Sequence, residues 1–256
     1  MKSITKTLLT AAALLLASLT PTMAQTSEPL KTFLVIGHNN AAAWGRQVAE
    51  MAPNHLPEDM RDGVPGVFVW HDNSWQELDA ELVKERHGPG IAMAATLKEE
   101  IGGPIGVIML RKAFSKLSTE WNPEGGEMYQ ELSDEVAAAK AERDLKVMGV
   151  AWVNGQNDRR SPDLEAYEEN QIEFVESLRE DYYNPELRFV TILEVPAVAN
   201  VIEEQKKARD IPGADYIDSV EVPQPDRWHY TPEGQTMLGQ MLGEKMAELL
   251  NTDFGG

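Results

Sequence analysis

Asp226 and His229 are the residues of this sequence whose types and spacing best suit acid–base chemistry. An aspartate three residues before a histidine can hold one ring nitrogen and stabilise the imidazolium, which leaves the other nitrogen to take up a proton. The same spacing near the start of a helix also occurs in plain surface pairs. Asp226 and His229 therefore predict a general base only where other polar groups lie beside them.

Two further polar clusters could supply those groups. Residues 37–40 read Gly-His-Asn-Asn, and residues 155–158 read Gly-Gln-Asn-Asp. The side-chain amide of Asn157 could donate a hydrogen bond to an oxyanion, although glycine, asparagine and aspartate are also ordinary turn residues.

Neither a metal ion nor a cofactor is expected. The chain has no cysteine, and its five histidines lack the His-x-x-x-His spacing of zinc sites. Glycine motifs that bind dinucleotides or nucleotide phosphates are absent as well. The predicted chemistry therefore depends on protein side chains alone.

Apolar runs predict the strands that position these clusters. The runs are residues 33–36, 106–110, 146–153, 188–193 and, less apolar, 216–220. Continuous apolar runs of this length are typical of strands covered on both faces, as in a parallel sheet. Helical patterns lie at residues 91–101, 129–145, 164–178 and from 231 onward. The alternation predicts a doubly wound, flavodoxin-like α/β fold, with a small β-hairpin insertion at residues 67–78.

In an open parallel sheet, ligands bind beyond the carboxyl ends of the strands. Residues 37–40 follow the first predicted strand, residues 155–158 the third, and residues 226–229 the last. We therefore expect the three clusters to meet in one pocket at that edge of the sheet.

Taken in order, these motifs resemble the conserved blocks of the SGNH (GDSL-type) hydrolase superfamily, in its branch of sialate O-acetylesterase-like and acetylxylan-esterase-like carbohydrate esterases. Residues 37–40 resemble Gly-Gln-Ser-Asn of that branch, and residues 152–158 resemble Trp-x-Gln-Gly-Glu-Ser-Asp. Residues 226–234 match Asp-x-x-His followed by Thr/Ser-Pro-x-Gly, and the pairs at 88–89 and 120–121 match two further blocks. The resemblance covers about residues 32–250.

The resemblance implies hydrolysis of O-acetyl esters on saccharides without a cofactor. It implies a catalytic set and a set that contacts the saccharide. The catalytic set is the base His229, its partner Asp226, and the oxyanion donors Gly88 and Asn157; the contact set is His38, Asn40, Trp121 and Arg159. Asn39 stands at the position of the nucleophilic serine, and an amide nitrogen cannot form the ester acyl-enzyme of a serine hydrolase. Residues 111–114, which follow the predicted strand at 106–110, also lack the glycine pair that the resemblance leads us to expect there.

Two functions therefore remain open at this point. A hydrolase could use His229 to activate water directly, or could use a displaced serine, for which Ser74, Ser115 and Ser118 are candidates. Alternatively, the chain is an inactive protein that binds a saccharide, an acylated saccharide or a protein partner on an esterase scaffold. Stacking faces for sugar rings would then come from Trp44, Trp121, Trp152 and Trp228, although Trp152 lies inside a strand run and is expected in the core.

The ends and the net charge bear on where the chain acts. Two early lysines, an apolar stretch at residues 8–19 and Thr-Met-Ala at 22–24 predict a signal peptide over residues 1–24. A linker at 25–31, one SGNH-like domain at 32–251 and a tail at 252–256 would follow, in a periplasmic or secreted protein. The apolar stretch at residues 8–19 is shorter than the roughly 20 residues that span a bilayer, so no membrane insertion is expected after cleavage. The net charge of −19 disfavours binding to nucleic acid.

Overall fold

The computed structural model describes residues 28–42, 57–86, 88–193, 199–226 and 228–254. The predicted signal peptide and Trp44 lie outside these ranges. Within the described ranges, no helix combines the length and the apolar character needed to cross a membrane.

In the part of the chain that the structure describes, seven strands form one sheet. They are β1 (Leu30–Gly37), β2 (Gly63–His71), β3 (Ser74–Asp79), β4 (Ile105–Arg111), β5 (Leu145–Val153), β6 (Arg188–Leu193) and β7 (Ala214–Asp218). Their order is β3-β2-β4-β1-β5-β6-β7, and every neighbouring pair is parallel except β2 and β3. The predicted hairpin is β2–β3, and it belongs to the sheet edge because β2 also pairs in parallel with β4. The predicted α/β fold is confirmed.

Helices connect the strands over the described ranges. They are α1 (Ala80–Glu85), α2 (Pro89–Ile101), α3 (Glu127–Glu142), α4 (Tyr167–Asp181), α5 (Ala199–Lys206) and α6 (Pro232–Asn251). Sequence periodicity predicted α2, α3, α4 and α6, whereas α1 and α5 were not predicted. Strand β1 begins at Leu30, inside the segment expected to be a linker.

Both faces of the central sheet are covered. Trp152 of β5 packs against Phe174 of α4 and against Trp121, with ring centroids 4.9 and 5.4 Å apart. Gly149 lies three residues earlier on the strand and therefore on the other face, where it contacts Met246 of α6. Burial on both faces explains why the central strands read as continuous apolar runs.

The last helix has a defined start and a close partner. The Thr231 hydroxyl accepts the backbone N–H of Gly234 at 3.0 Å, as an N-cap does. Further along α6, a Cβ on Gly239 would lie 2.3 Å from the carbonyl oxygen of Pro89, so this glycine lets α6 approach the start of α2. Because His229 lies only two residues before the N-cap Thr231, the docking of α6 fixes where that histidine lies.

Candidate active site

The end of β1 has a geometry that only glycine allows. Gly37 has φ +142°, and a Cβ on it would lie 2.1 Å from the carbonyl oxygen of Val153 on β5. The backbone N–H of His38 donates to that same oxygen at 2.9 Å. A 3₁₀ turn over Asn39–Ala41 starts immediately afterwards. The close approach of β1 and β5 therefore fixes the residues that follow both strands.

The predicted polar clusters meet in one cavity of about 320 Å³. Its described lining comes from four segments: one after β1, one after β4, one after β5 and one before α6. These lining residues are His38, Asn39, Phe114, Gln156, Asn157, Arg159, Trp228 and His229. The cavity lies where the topology of a parallel sheet predicts a ligand site.

His229 and Asp226 form a hydrogen-bonded pair at this cavity. The Nδ1 atom of His229 lies 2.9 and 3.1 Å from the two carboxylate oxygens of Asp226. Asp226 also accepts the backbone N–H groups of Trp228 and His229 at 2.7 and 2.9 Å. Although partial burial acts to raise it, the hydrogen bonds from His229 and the backbone hold the pKa of Asp226 below its ordinary value. With Nδ1 engaged, Nε2 is the ring nitrogen that can exchange a proton with a ligand or water.

Asn39 is held at the cavity by its amide oxygen. Arg111, the last residue of β4, donates from Nη1 to Oδ1 of Asn39 at 3.4 Å. Burial lowers the pKa of Arg111 from its ordinary value. Since the oxygen faces the guanidinium, the Asn39 side chain has its NH₂ group left as a donor. The arrangement suits a hydrogen-bond donor to a ligand oxygen, and it offers no nucleophile.

His38 adds a second fixed group beside Asn39. It is buried, and its Nδ1 accepts the backbone N–H of Asn40 at 3.2 Å. In the neutral ring the proton is therefore on Nε2. His38 and Asn39 thus both carry N–H groups on the lining of the cavity.

Two aspartates tie together the loops that follow β4 and β5. Oδ1 of Asp158 accepts the backbone N–H of Leu117 at 3.0 Å, and burial raises the pKa of this carboxyl to about 7. Asp163 accepts hydrogen bonds from Lys116 and Ser118, both at 2.7 Å. The loop with Phe114 is thereby held against the loop with Asn157 and Arg159.

The structure brings together some of the predicted site residues and separates others. Five candidates besides Asn39 line the cavity: His38, Asn157, Arg159, Trp228 and His229. Asp226 is not among the lining residues, but it is hydrogen-bonded to His229, which is. Gly88 is the N-cap of α2, which contacts the 3₁₀ turn after β1, but Gly88 is not among the lining residues. Its proposed role as an oxyanion donor stays a prediction.

Two residues that were predicted to contact the ligand are buried inside the protein. Trp121 is fully buried against Trp152, and its indole N–H donates to Ser115 Oγ at 2.9 Å. The prediction that Trp121 contacts a saccharide is therefore corrected, because the ring has no exposed face. Asn40 is also buried, and its Nδ2 donates to the carbonyl oxygen of Trp228 at 2.8 Å. Asn40 therefore supports the cavity wall from behind.

None of the three candidate serines lines the cavity. Ser115 is buried and donates to the carbonyl oxygen of Lys112, while Ser118 donates to Asp163. Ser74 is the first residue of β3 and donates to the carbonyl oxygen of His71. Among the described lining residues there is no serine, threonine or lysine.

Three contributors were missed from the sequence. Phe114 and Gln156 line the cavity, and Arg111 holds Asn39. The absence of the expected glycine pair in residues 111–114 was the available signal for Phe114 and Arg111. Gln156 stood inside a recognised motif, between Gly155 and Asn157.

The sequence of this chain matches one protein family, and its fold is similar to those of several solved structures. Residues 29–248 match the family described as carbohydrate esterase, sialic acid-specific acetylesterase. No curated protein sequence matches the chain. A solved structure of an Arabidopsis thaliana protein is similar, with a TM-score of 0.72 and 20% identity over 86% of this chain and 98% of that one.

Two further solved structures share the fold. NanS has a TM-score of 0.62 and 14% identity, covering 87% of this chain and 98% of that one. A carbohydrate acetylesterase from Xanthomonas citri has a TM-score of 0.60 and 15% identity, covering 83% of this chain and 55% of that one. At these identities the structures establish the fold alone, whereas the family match extends over most of the sequence. The chain belongs to the sialic acid-specific acetylesterase family of carbohydrate esterases, as the resemblance of its motifs predicted.

Proposed function

We propose that this chain binds a saccharide or an acylated saccharide in the cavity without forming an acyl-enzyme. The observation that carries the proposal is Asn39, which lines the cavity directly after β1 at the position the resemblance assigns to the nucleophilic serine. Its amide oxygen accepts from Arg111, so the side chain acts as a fixed polar contact. An amide at this position closes the covalent route of a serine esterase.

The remaining lining suits recognition of an oxygen-rich ligand. Asn39 and Asn157 carry amide N–H groups, and Arg159 adds a guanidinium. Nδ2 of Asn157 donates one hydrogen to the carbonyl oxygen of Ser115 at 3.2 Å, which leaves a second hydrogen for a ligand. In this proposal Gly88 and Asn157 are still the hydrogen-bond donors that the resemblance assigns to the oxyanion hole. They contact the carbonyl oxygen of an intact, bound acyl group, and no oxyanion forms.

A second candidate function is direct hydrolysis, in which His229 activates a water molecule. The observation that favours it is the Asp226–His229 pair, whose 2.9 Å hydrogen bond is the one a general base requires. Asn39 and Asn157 would then polarise the ester carbonyl. General-base help is typically worth a factor of about 100 to 10,000, so slow turnover is compatible with this route.

The proposed setting of this activity is outside the cytoplasm. A signal peptide over residues 1–24 would be removed, and residues 32–251 would act as an SGNH-like domain in the periplasm or in the medium. The ligand would be a saccharide or acylated saccharide present there, with no metal ion, cofactor or nucleic acid involved.

The deciding experiment combines ester hydrolysis with saccharide binding. Turnover of p-nitrophenyl acetate is measured for the wild type, Asn39→Ser, Asn39→Ala and His229→Ala, and for Asn39→Ser combined with His229→Ala. Binding of sialic acid, O-acetylated sialic acid and acetylated xylo-oligosaccharides is measured by calorimetry. The proposal expects wild-type binding without turnover, and turnover created by Asn39→Ser that disappears when His229 is also removed.

Other outcomes discriminate between the candidates. Wild-type turnover that survives Asn39→Ala and is lost in His229→Ala would establish direct water attack and contradict the main proposal. A wild type that neither turns over the ester nor binds any of the saccharides would contradict both candidates.

A further inference from the structure

Phe114 combines two unfavourable features at one position. Its φ is +63°, in the left-handed region that bulky residues rarely adopt, and its side chain is 82% exposed. A glycine would adopt this backbone without steric cost, and a polar residue would not expose apolar surface. Folding therefore gives no reason for a phenylalanine here, and a strained residue of this kind points to a role in ligand contact.

The loop on both sides of Phe114 is anchored, so the ring has a defined place. The backbone N–H of Lys112 donates to the carbonyl oxygen of Gly37 at 2.9 Å. Ser115 is fully buried, donates to the carbonyl oxygen of Lys112 and accepts the indole N–H of Trp121. Since Lys112 is fixed to β1 and Ser115 to the core, the backbone of Phe114 between them cannot relax without breaking these contacts.

A second exposed aromatic ring lines the same cavity. Trp228 is 37% exposed, and its carbonyl oxygen accepts Nδ2 of Asn40 while its backbone N–H donates to Asp226. The guanidinium carbon of Arg159 lies 5.6 Å from the centre of the Trp228 ring. Among the described residues, six large apolar side chains are exposed, and Phe114 and Trp228 are the two of them that line this cavity. Exposed apolar surface concentrated at a polar cavity is typical of a ligand-binding groove.

We propose that Phe114 is a specificity-determining residue that stacks on the C–H face of a saccharide ring, with Trp228 as the second apolar contact of the same subsite. This inference rests on the proposed binding function and adds the part of the ligand that Phe114 recognises. The amide and guanidinium groups of Asn39, Asn157 and Arg159 bind the oxygen atoms of the saccharide. The aromatic rings select for a ring with an exposed apolar face.

The test compares Phe114→Gly with Tyr183→Gly. Tyr183 is a matched control, because it has φ +52°, is 88% exposed and lies outside the lining of the cavity. Binding of O-acetylated sialic acid and of acetylated xylo-oligosaccharide is measured by calorimetry, and the midpoint of thermal unfolding is measured for each variant. We expect Phe114→Gly to weaken binding at least about fivefold, which is the loss of an aromatic contact, without lowering the unfolding midpoint. Tyr183→Gly should leave binding within about twofold of the wild type, and Phe114→Tyr should retain wild-type binding.

The outcomes separate this inference from the proposed function. A wild type that binds neither saccharide would overturn the binding function and this subsite with it. A wild type that binds, together with a Phe114→Gly variant of equal affinity, would overturn the subsite alone. Equal losses in Phe114→Gly and Tyr183→Gly would also overturn it, because they would trace to the backbone change.

Discussion

Asp158 should make the stability of this protein fall as the pH rises toward neutrality. Its side chain is 1% exposed, Oδ1 accepts the Leu117 N–H, and Oδ2 is buried without a partner among the described residues. Burial raises the pKa of this carboxyl from 3.8 to about 7. At pH values below the unfolded pKa, both states are protonated and the group costs no stability. Above it the unfolded state ionises first, so stability is lost until the pH passes the folded pKa.

The size of the effect follows from the two pKa values. A difference of about 3 pH units at about 1.4 kcal/mol each corresponds to about 4 kcal/mol in total. About 2–3 kcal/mol of this falls between about pH 5 and pH 8. Asp158→Asn keeps an oxygen for the Leu117 N–H and removes the titration. We therefore expect the free energy of unfolding to drop by that amount in the wild type over this range and to drop far less in the variant.

Urea denaturation at a series of pH values measures this difference directly. The control is Asp163→Asn, because hydrogen bonds from Lys116 and Ser118 hold the pKa of Asp163 below its ordinary value despite the opposing effect of burial. The stability that Asp163 contributes is lost only as the pH falls through that lowered pKa. Asp163→Asn should therefore keep the wild-type decrease between about pH 5 and pH 8. Parallel curves for the wild type and Asp158→Asn would refute the reasoning.

Two further predictions concern the end of β1 and the start of the chain. Gly37→Ala should lower the free energy of unfolding by more than about 3 kcal/mol in urea denaturation, because the new Cβ would lie 2.1 Å from a backbone oxygen. Gly102→Ala, with φ +62° and no atom within 4 Å of the new Cβ, should cost only about 1–2 kcal/mol, and equal losses would contradict the clash. Mass spectrometry of the exported protein should show an N-terminus near Gln25, and a mature protein that retains residues 1–24 would contradict the signal peptide.

The strands and the long helices could be predicted because their physical signals are local. Strands β1, β4, β5 and β6 are buried on both faces in whole or large part, which makes their sequences continuously apolar. Helices α1 and α5 span only six and eight residues, too few for a helical period to stand out from its surroundings. The polar clusters were predictable in turn, since the carboxyl ends of parallel strands lie at one edge.

The orientation and exposure of single side chains could not be predicted in this way. Trp121 and Trp228 are the same residue type beside recognised motifs, yet one is fully buried and the other is 37% exposed. Their burial depends on what packs against them, namely Trp152 and Ser115 for Trp121. The left-handed backbone of Phe114 likewise depends on anchors at Lys112 and Ser115, which the residue types do not reveal.

The retained Asp226–His229 pair does not by itself argue for catalysis. Asp226 accepts the backbone N–H groups of Trp228 and His229, so it stabilises the turn before α6 whether or not a proton is transferred. A protein that only binds saccharides would keep this aspartate for its fold and would keep His229 as a polar wall of the cavity. Position 39 has no comparable structural demand, because Asn39 is half-buried at the cavity and its one described side-chain hydrogen bond, from Arg111, is 3.4 Å long. The residue at position 39 is therefore the part of the site that discriminates between binding and covalent catalysis.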